Sequence, residues 1–115
     1  MNKIYVAGPF SDSDPLKFLS NARAGLEAGA QLIADGYAVF CPFLDFQYCL
    51  SVYGGGLTKE QLQQNSLAWV DRSDAVLVLQ GWEFSPGTER EIERAEQHGI
   101  PVFYNVYDMK VHFEG

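Results

Sequence analysis

The run Ala75-Val76-Leu77-Val78-Leu79 constrains the fold most, because a helix start lies close behind it. It reads as a buried strand, and after a short connection Ser85-Pro86-Gly87-Thr88 opens a helix that runs on through Glu91, Ile92 and Ala95. The same order recurs along the chain. Lys3 to Ala7 reads as a strand ending at Gly8-Pro9. Asp14 as cap and Pro15 at the first helical position then open a helix to about Asp35, with Leu16, Leu19, Ala22, Leu26, Ala30 and Ile33 in rough helical period and Gly36 as its stop. Tyr37 to Cys41 is a second strand, ended by Pro42. Thr58 and Gln61 form a capping box for a helix to about Arg72, and Asp74 to Leu79 is the third strand. The Glu91 helix ends at Gly99, and Ile100 to Tyr104 is a fourth strand. Alternation of this kind makes βαβ units and a parallel sheet.

In such a sheet ligands bind beyond the carboxyl ends of the strands. Three chain segments converge there: Gly8-Pro9-Phe10-Ser11, Pro42 with the loop behind it, and Gly81-Trp82 leading to Ser85-Pro86-Gly87. The last places glycine and small polar residues at a helix N-terminus, whose free N–H groups suit a sugar hydroxyl or a phosphate. Thr88, Ile92, Ala95 and Gly99 share one helical face, which should pack on the sheet, while Glu89 and Glu93 point into water. Glu91 borders the buried face, and the pattern leaves it open between a surface acid and a site carboxylate. A carboxylate beside such a cradle is what attack on a sugar carbon requires.

A chain of 115 residues with 47% hydrophobic and 20% charged content fits one globular domain, residues 1–115. A net charge of −7 argues against a nucleic-acid polymer as partner, since that needs a basic face. It leaves room for a small nucleotide held by backbone N–H groups. Met1-Asn2-Lys3 leads directly into a strand, so no secretory leader is expected, and no apolar run reaches the length of a membrane span. Cys41 and Cys49 lack metal-ligand spacing, and we expect reduced, partly buried thiols in a cytoplasmic protein that uses no metal or organic cofactor. The loop over residues 43–57, with Phe43, Phe46, Tyr48 and Tyr53, suits either stacking on a base or contact with a second subunit of a homodimer or larger homo-oligomer.

Lys3-Ile4-Tyr5-Val6-Ala7-Gly8-Pro9 resembles the first strand and loop of the nucleoside 2-deoxyribosyltransferase superfamily, which includes the 2′-deoxynucleoside 5′-phosphate N-hydrolases. Trp69, Asp74, Gly87, Glu91 and Ala95 resemble its second signature. The resemblance covers nearly the whole chain in order. It implies a three-layer Rossmann-like (flavodoxin-like) α/β domain with a four- to five-stranded parallel sheet. It also implies an enzyme that cleaves or transfers the N-glycosidic bond of a (deoxy)nucleoside or its 5′-monophosphate through a glycosyl ester on a glutamate. The alternative is a nucleotide-sensing module of the same fold without catalysis.

On this resemblance Glu91, four residues after the motif glycine Gly87, is the nucleophile, and Tyr5 orients its carboxylate. Read alone, Tyr5 is a core aromatic. Gly8, Pro9, Phe10, Ser85, Gly87, Ser66 and Asp71 complete the expected substrate contacts. Ser85 stands where the nucleoside transferases tend to carry Asp and the nucleotide hydrolases carry Ser against a 5′-phosphate; a plain helix cap is its other reading. Two positions depart from the family. Pro9-Phe10-Ser11 lacks the hydrolases' loop Arg, and Ser66 stands where the family has the Asp that handles the nucleobase proton. Serine is a poor general acid near neutral pH, so either Asp71 or Asp45 replaces it or protonation of the leaving group is weak.

Overall fold

A computed structural model describes residues 1–10, 12–51 and 53–115; Ser11 of the first-strand loop lies outside the described residues, as does the Phe46 side chain. Strands β1 (Lys3–Ala7), β2 (Ala38–Phe40), β3 (Ala75–Val78) and β4 (Val102–Phe103) form one parallel sheet in the order β2-β1-β3-β4. Tyr5 is in register with Phe40 on one side and Val76 on the other. Helices α1 (Pro15–Ala34), α2 (Lys59–Val70), α3 (Pro86–Gln97) and α4 (Val106–Glu114) cover it in two layers. The three-layer α/β architecture is therefore as expected, with four strands among the described residues.

Strand alternation sorts the core onto two faces. Ile4, Val6, Ala75 and Leu77 pack with Leu32 of α1, Tyr37, Phe43 and Met109 of α4. Tyr5, Ala7, Val76 and Val78 pack with Val70 of α2 and with Ile92 and Ala95 of α3. The chain leaves β1 toward one face and β3 toward the other. The point where those connections part, between β1 and β3, is where an open α/β sheet offers a crevice.

Most helix signals act as the sequence indicates. The Asp14 carboxylate accepts from Leu16 N–H, and Thr58 and Gln61 close a reciprocal capping box. Thr88, Ile92 and Ala95 are buried on the sheet while Glu89 and Glu93 are exposed. Gly99 is exposed and lies beyond the helix end at φ +69°, and Ile100 takes up the packing instead.

Three features differ from expectation. The loop after β2 is largely two 3-10 helices, Pro42–Leu50 and Tyr53–Gly56. Helix α4 follows β4, opened by the Asn105 side chain accepting from Asp108 N–H at 2.8 Å. Its single fully buried residue, Met109, leaves little period to read. On α1 the periodic apolar set is not the core face: Ala22, Gly25, Gly29 and Leu32 are buried, whereas Leu16, Leu19, Leu26 and Ile33 face solvent. Phe43 explains the inversion. Its ring lies so close to α1 that a Cβ on Gly25 would collide with it, so small residues must face the core there. Cys41 is half-buried and Cys49 exposed, and neither is in a disulfide. Among the described residues, no helix is long and apolar enough to cross a membrane.

Candidate active site

The crevice is built by two close approaches. Leu79 N–H donates to Ala7 O at 2.8 Å, and a Cβ on Gly8 would lie 2.9 Å from Leu79 Cβ, so glycine alone lets the ends of β1 and β3 run this close. Beyond β3, Gly81 adopts φ +88° and folds the chain against Pro9. A 3-10 turn over Trp82–Phe84 then delivers Ser85 to the start of α3.

Ser85 caps that helix. Its Oγ accepts from Thr88 N–H at 3.3 Å and from the Thr88 hydroxyl at 2.8 Å. Both lone pairs are occupied, which leaves the Ser85 O–H as a donor for something else. The cap and the ligand contact are therefore compatible uses of one side chain.

Glu91 lies one turn further in and is only 7% exposed. Its Oε2 is buried without a hydrogen-bond partner among the described residues, and so is the hydroxyl of Tyr5, a fully buried residue. Burial is the main reason the Glu91 pKa is pushed up to about 7; the Asp45 charge adds to the rise, and the Tyr5 hydroxyl and Gln63 amide work against it. Tyr5 is held well above its ordinary value, first by burial and then by the Glu91 charge, so it stays a neutral hydroxyl. Tyr5 and Glu91 are neighbours, not a bonded pair: each shifts the other's titration, yet Tyr5 Oη and Glu91 Oε2 each lack a partner at hydrogen-bond geometry. The Tyr5 ring is fixed by a stack, Phe40 at 5.6 Å between centroids and Trp69 on Phe40 at 5.1 Å.

A second carboxylate faces the same space. Asp45, in the 3-10 helix after β2, is buried, and burial raises its pKa while the Ser66 hydroxyl lowers it. Ser66 is itself buried on α2 and reaches toward both Asp45 and Tyr5. The cavity above these groups holds about 610 Å³, within the usual range for a small-molecule site. Gly8, Phe10, Ser66, Ser85, Gly87 and Glu91 line it, together with Asp45 and Gln63. Lys59 and Arg90 stand at its wall, Arg90 paired with Glu60 at 3.3 Å, and the exposed Phe84 ring borders it.

The structure thus gathers most of the sequence-derived residues and separates three. Tyr5 lies beneath the cavity, not in its lining, and Pro9 sits behind the wall against Gly81. Asp71 is a correction. It caps the far end of α2, where Arg94 grips it with two 2.7 Å hydrogen bonds that hold its carboxyl below the ordinary value, and it does not line the cavity. Of the aromatic loop, Phe43 belongs to the core, whereas Tyr48 and Tyr53 are exposed. Gln63 is a lining residue that no sequence motif marks, although Gln63, Ser66 and Val70 follow one helical face at spacings of three and four.

The fold is that of the nucleoside deoxyribosyltransferases. A solved 2-deoxyribosyltransferase from the psychrotolerant bacterium Bacillus psychrosaccharolyticus is 27% identical, with a TM-score of 0.54 over 87% of this chain and 69% of that one. No curated protein matches the chain. The family model for DUF4406, a domain of unknown function, matches residues 2–104, and the chain belongs to that family.

Proposed function

We propose that this protein cleaves or transfers the N-glycosidic bond of a (deoxy)nucleoside or its 5′-monophosphate. One observation carries the reading: a buried carboxylate, Glu91, with an unpartnered oxygen in a cavity at the sheet's switch point. The similarity to a 2-deoxyribosyltransferase supports it.

In the proposed reaction ionised Glu91 attacks the anomeric carbon. The coupled Glu91–Asp45 pair reacts in the form that carries its one proton on Asp45: the bond to the base breaks with its electron pair leaving on the base, and Asp45 supplies the proton that the base takes up. Water or a second base then attacks the glycosyl ester, and Asp45, now ionised, accepts the proton released. Asp45 fits the donor's role because burial raises its pKa and Ser66 fixes its position, which offsets the missing helix aspartate. In this reading the neutral Tyr5 hydroxyl, a neighbour of Glu91, closes a hydrogen bond to the carboxylate when it ionises and so orients the nucleophile. The Ser85 O–H and the Gly87 N–H, the first backbone donor of α3 after Pro86, receive the 5′ end of the sugar, and Lys59 and Arg90 supply positive charge near a phosphate.

The test is incubation with a panel of nucleosides and monophosphates, read by chromatography for free or exchanged base. The wild type should release base, and Glu91→Gln should lower the rate by several orders of magnitude, since an amide forms no glycosyl ester. Binding without release by the wild type would favour the sensing module. Near-normal turnover by Glu91→Gln would overturn the covalent route.

A further inference from the structure

Helix α1 buries Ala22, Gly25, Gly29 and Leu32 against the core and leaves Leu16, Leu19, Leu26 and Ile33 to water, so its larger apolar stripe faces outward, unlike that of an ordinary surface helix. The outward residues are also ordered. Leu16, Leu19, Arg23, Leu26, Ala30 and Ile33 alternate at spacings of three and four, which is the a/d seam of a coiled coil. All six are exposed, Leu16 by 76%, Leu19 by 60%, Leu26 by 43% and Ile33 by 62%. The seam runs the length of a 20-residue helix, about 30 Å.

The order of residues says what covers it. A two-fold axis placed midway between Ala24 and Gly25 sets Leu16 of one copy against Ile33 of another, Leu19 against Ala30, and Arg23 against Leu26. Every layer then pairs an a position with a d position, the arrangement of two antiparallel helices. Large residues meet large ones at both ends, and Leu19 meets the small Ala30 between them. The one charge in the seam is also matched. Arg23 of each copy comes beside Glu27 of the other, one residue from its opposite number. Within a single copy Arg23 and Glu27 are only 4.0 Å apart and 82% and 74% exposed, so both are free to reach across. A surface that is complementary to itself about a two-fold axis describes an isologous dimer.

We infer that α1 is a homodimer interface, packed antiparallel against α1 of a second copy along the Leu16–Ile33 seam. The occupant is this chain, not a foreign helix, because layers and charges match under that one rotation.

Sedimentation velocity over a range of protein concentrations tests it. Wild type should dimerise. Leu19→Glu with Leu26→Glu puts charge at four places in the dimer, exposed in the single copy, and should weaken association at least about a hundredfold while the circular dichroism is retained. Charge variants locate the register. Arg23→Glu alone sets Glu against Glu27 of the partner, and Glu27→Arg alone sets Arg against Arg23; each should dimerise at least about tenfold more weakly. An equimolar mixture of the two should restore dimers, since both cross-helix pairs then become attractive while neither chain has an internal pair. That rescue cannot come from better folding of either variant. A monomeric wild type would overturn the proposal, as would a dimer untouched by the leucine changes. Failure of the mixture to recover would overturn the antiparallel register.

Discussion

Glu91→Gln removes a buried charge more than it removes a contact, so it acts on folding as well as on chemistry. The Glu91 pKa rises from an ordinary 4.5 to about 7 in the folded protein, burial being the largest cause. Between those values the folded state keeps a proton that the unfolded chain has released. Stability therefore falls as pH rises through that window, and levels off above it. At 1.36 kcal/mol per pKa unit, the loss is roughly 3 kcal/mol. That is a large part of the 5–15 kcal/mol typical of a whole domain. Urea denaturation followed by circular dichroism at a series of pH values measures it. Wild type and Glu91→Gln should be similarly stable near pH 4.5, and the variant should be more stable by roughly 3 kcal/mol near pH 8. A residual slope should persist in the variant, because Asp45 is raised in the same direction. The double variant Asp45→Asn, Glu91→Gln should flatten it. A wild-type curve level between pH 4.5 and 8, or a single variant as steep as wild type, would sink the claim that Glu91 is desolvated in the fold.

Tyr5→Phe should leave stability unchanged or slightly higher in urea titrations, since the hydroxyl is buried without a partner, while lowering kcat; a loss of stability alone would return Tyr5 to the core. Asp45→Asn should cut base release about 10²–10⁴-fold, and least for bases that leave readily unprotonated; equal losses across leaving groups would remove Asp45 from the donor's role. Ser85→Asp keeps a competent helix cap but sets a negative charge where a 5′-phosphate is proposed, so calorimetry should show monophosphates weakened by about tenfold or more and nucleosides little changed. Equal wild-type affinity for a matched nucleoside and monophosphate would leave Ser85 as a cap only.

The sheet and the first three helices were legible because their signals are local. Apolar runs marked the strands, and Asp14-Pro15, Thr58 with Gln61, and Ser85-Pro86 marked helix starts that the structure keeps. Glu91 was half legible: its wheel position put it at the border of the buried face and left its role open, and its burial beside Tyr5 on β1 and Asp45 after β2, which shifts it, is a product of long-range packing. Asp45 and Asp71 show the limit best. Both were carboxylates near a serine in an aspartate's place, and nothing local to either chose between them. Asp71 is claimed by Arg94 of the next helix, a partner 23 residues away, while the 3-10 helix after β2 carries Asp45 inward. The exposed stripe on α1 was misleading for a related reason. Period identifies an apolar face, but the Phe43 ring, supplied from another element, decides which face the core accepts.

Burial sets folding and the proposed reaction against each other at Glu91. Keeping a carboxylate out of water costs stability above pH 7, yet an anion stripped of water is the more reactive toward a carbon gaining positive charge. The surrounding groups are consistent with that trade. None is a cation that would hold Glu91 ionised at rest: the groups that shift it are a neutral Tyr5 hydroxyl, the Gln63 amide and the Asp45 carboxyl. Lys59 and Arg90 line the cavity as well, but neither is among the groups that shift Glu91, and Arg90 is paired with the exposed Glu60. In the proposed reaction the cationic charge that favours ionised Glu91 comes from the sugar itself as the bond to the base stretches. The carboxylate is then stabilised more in the transition state than in the resting protein, which is the condition for binding energy to appear as rate.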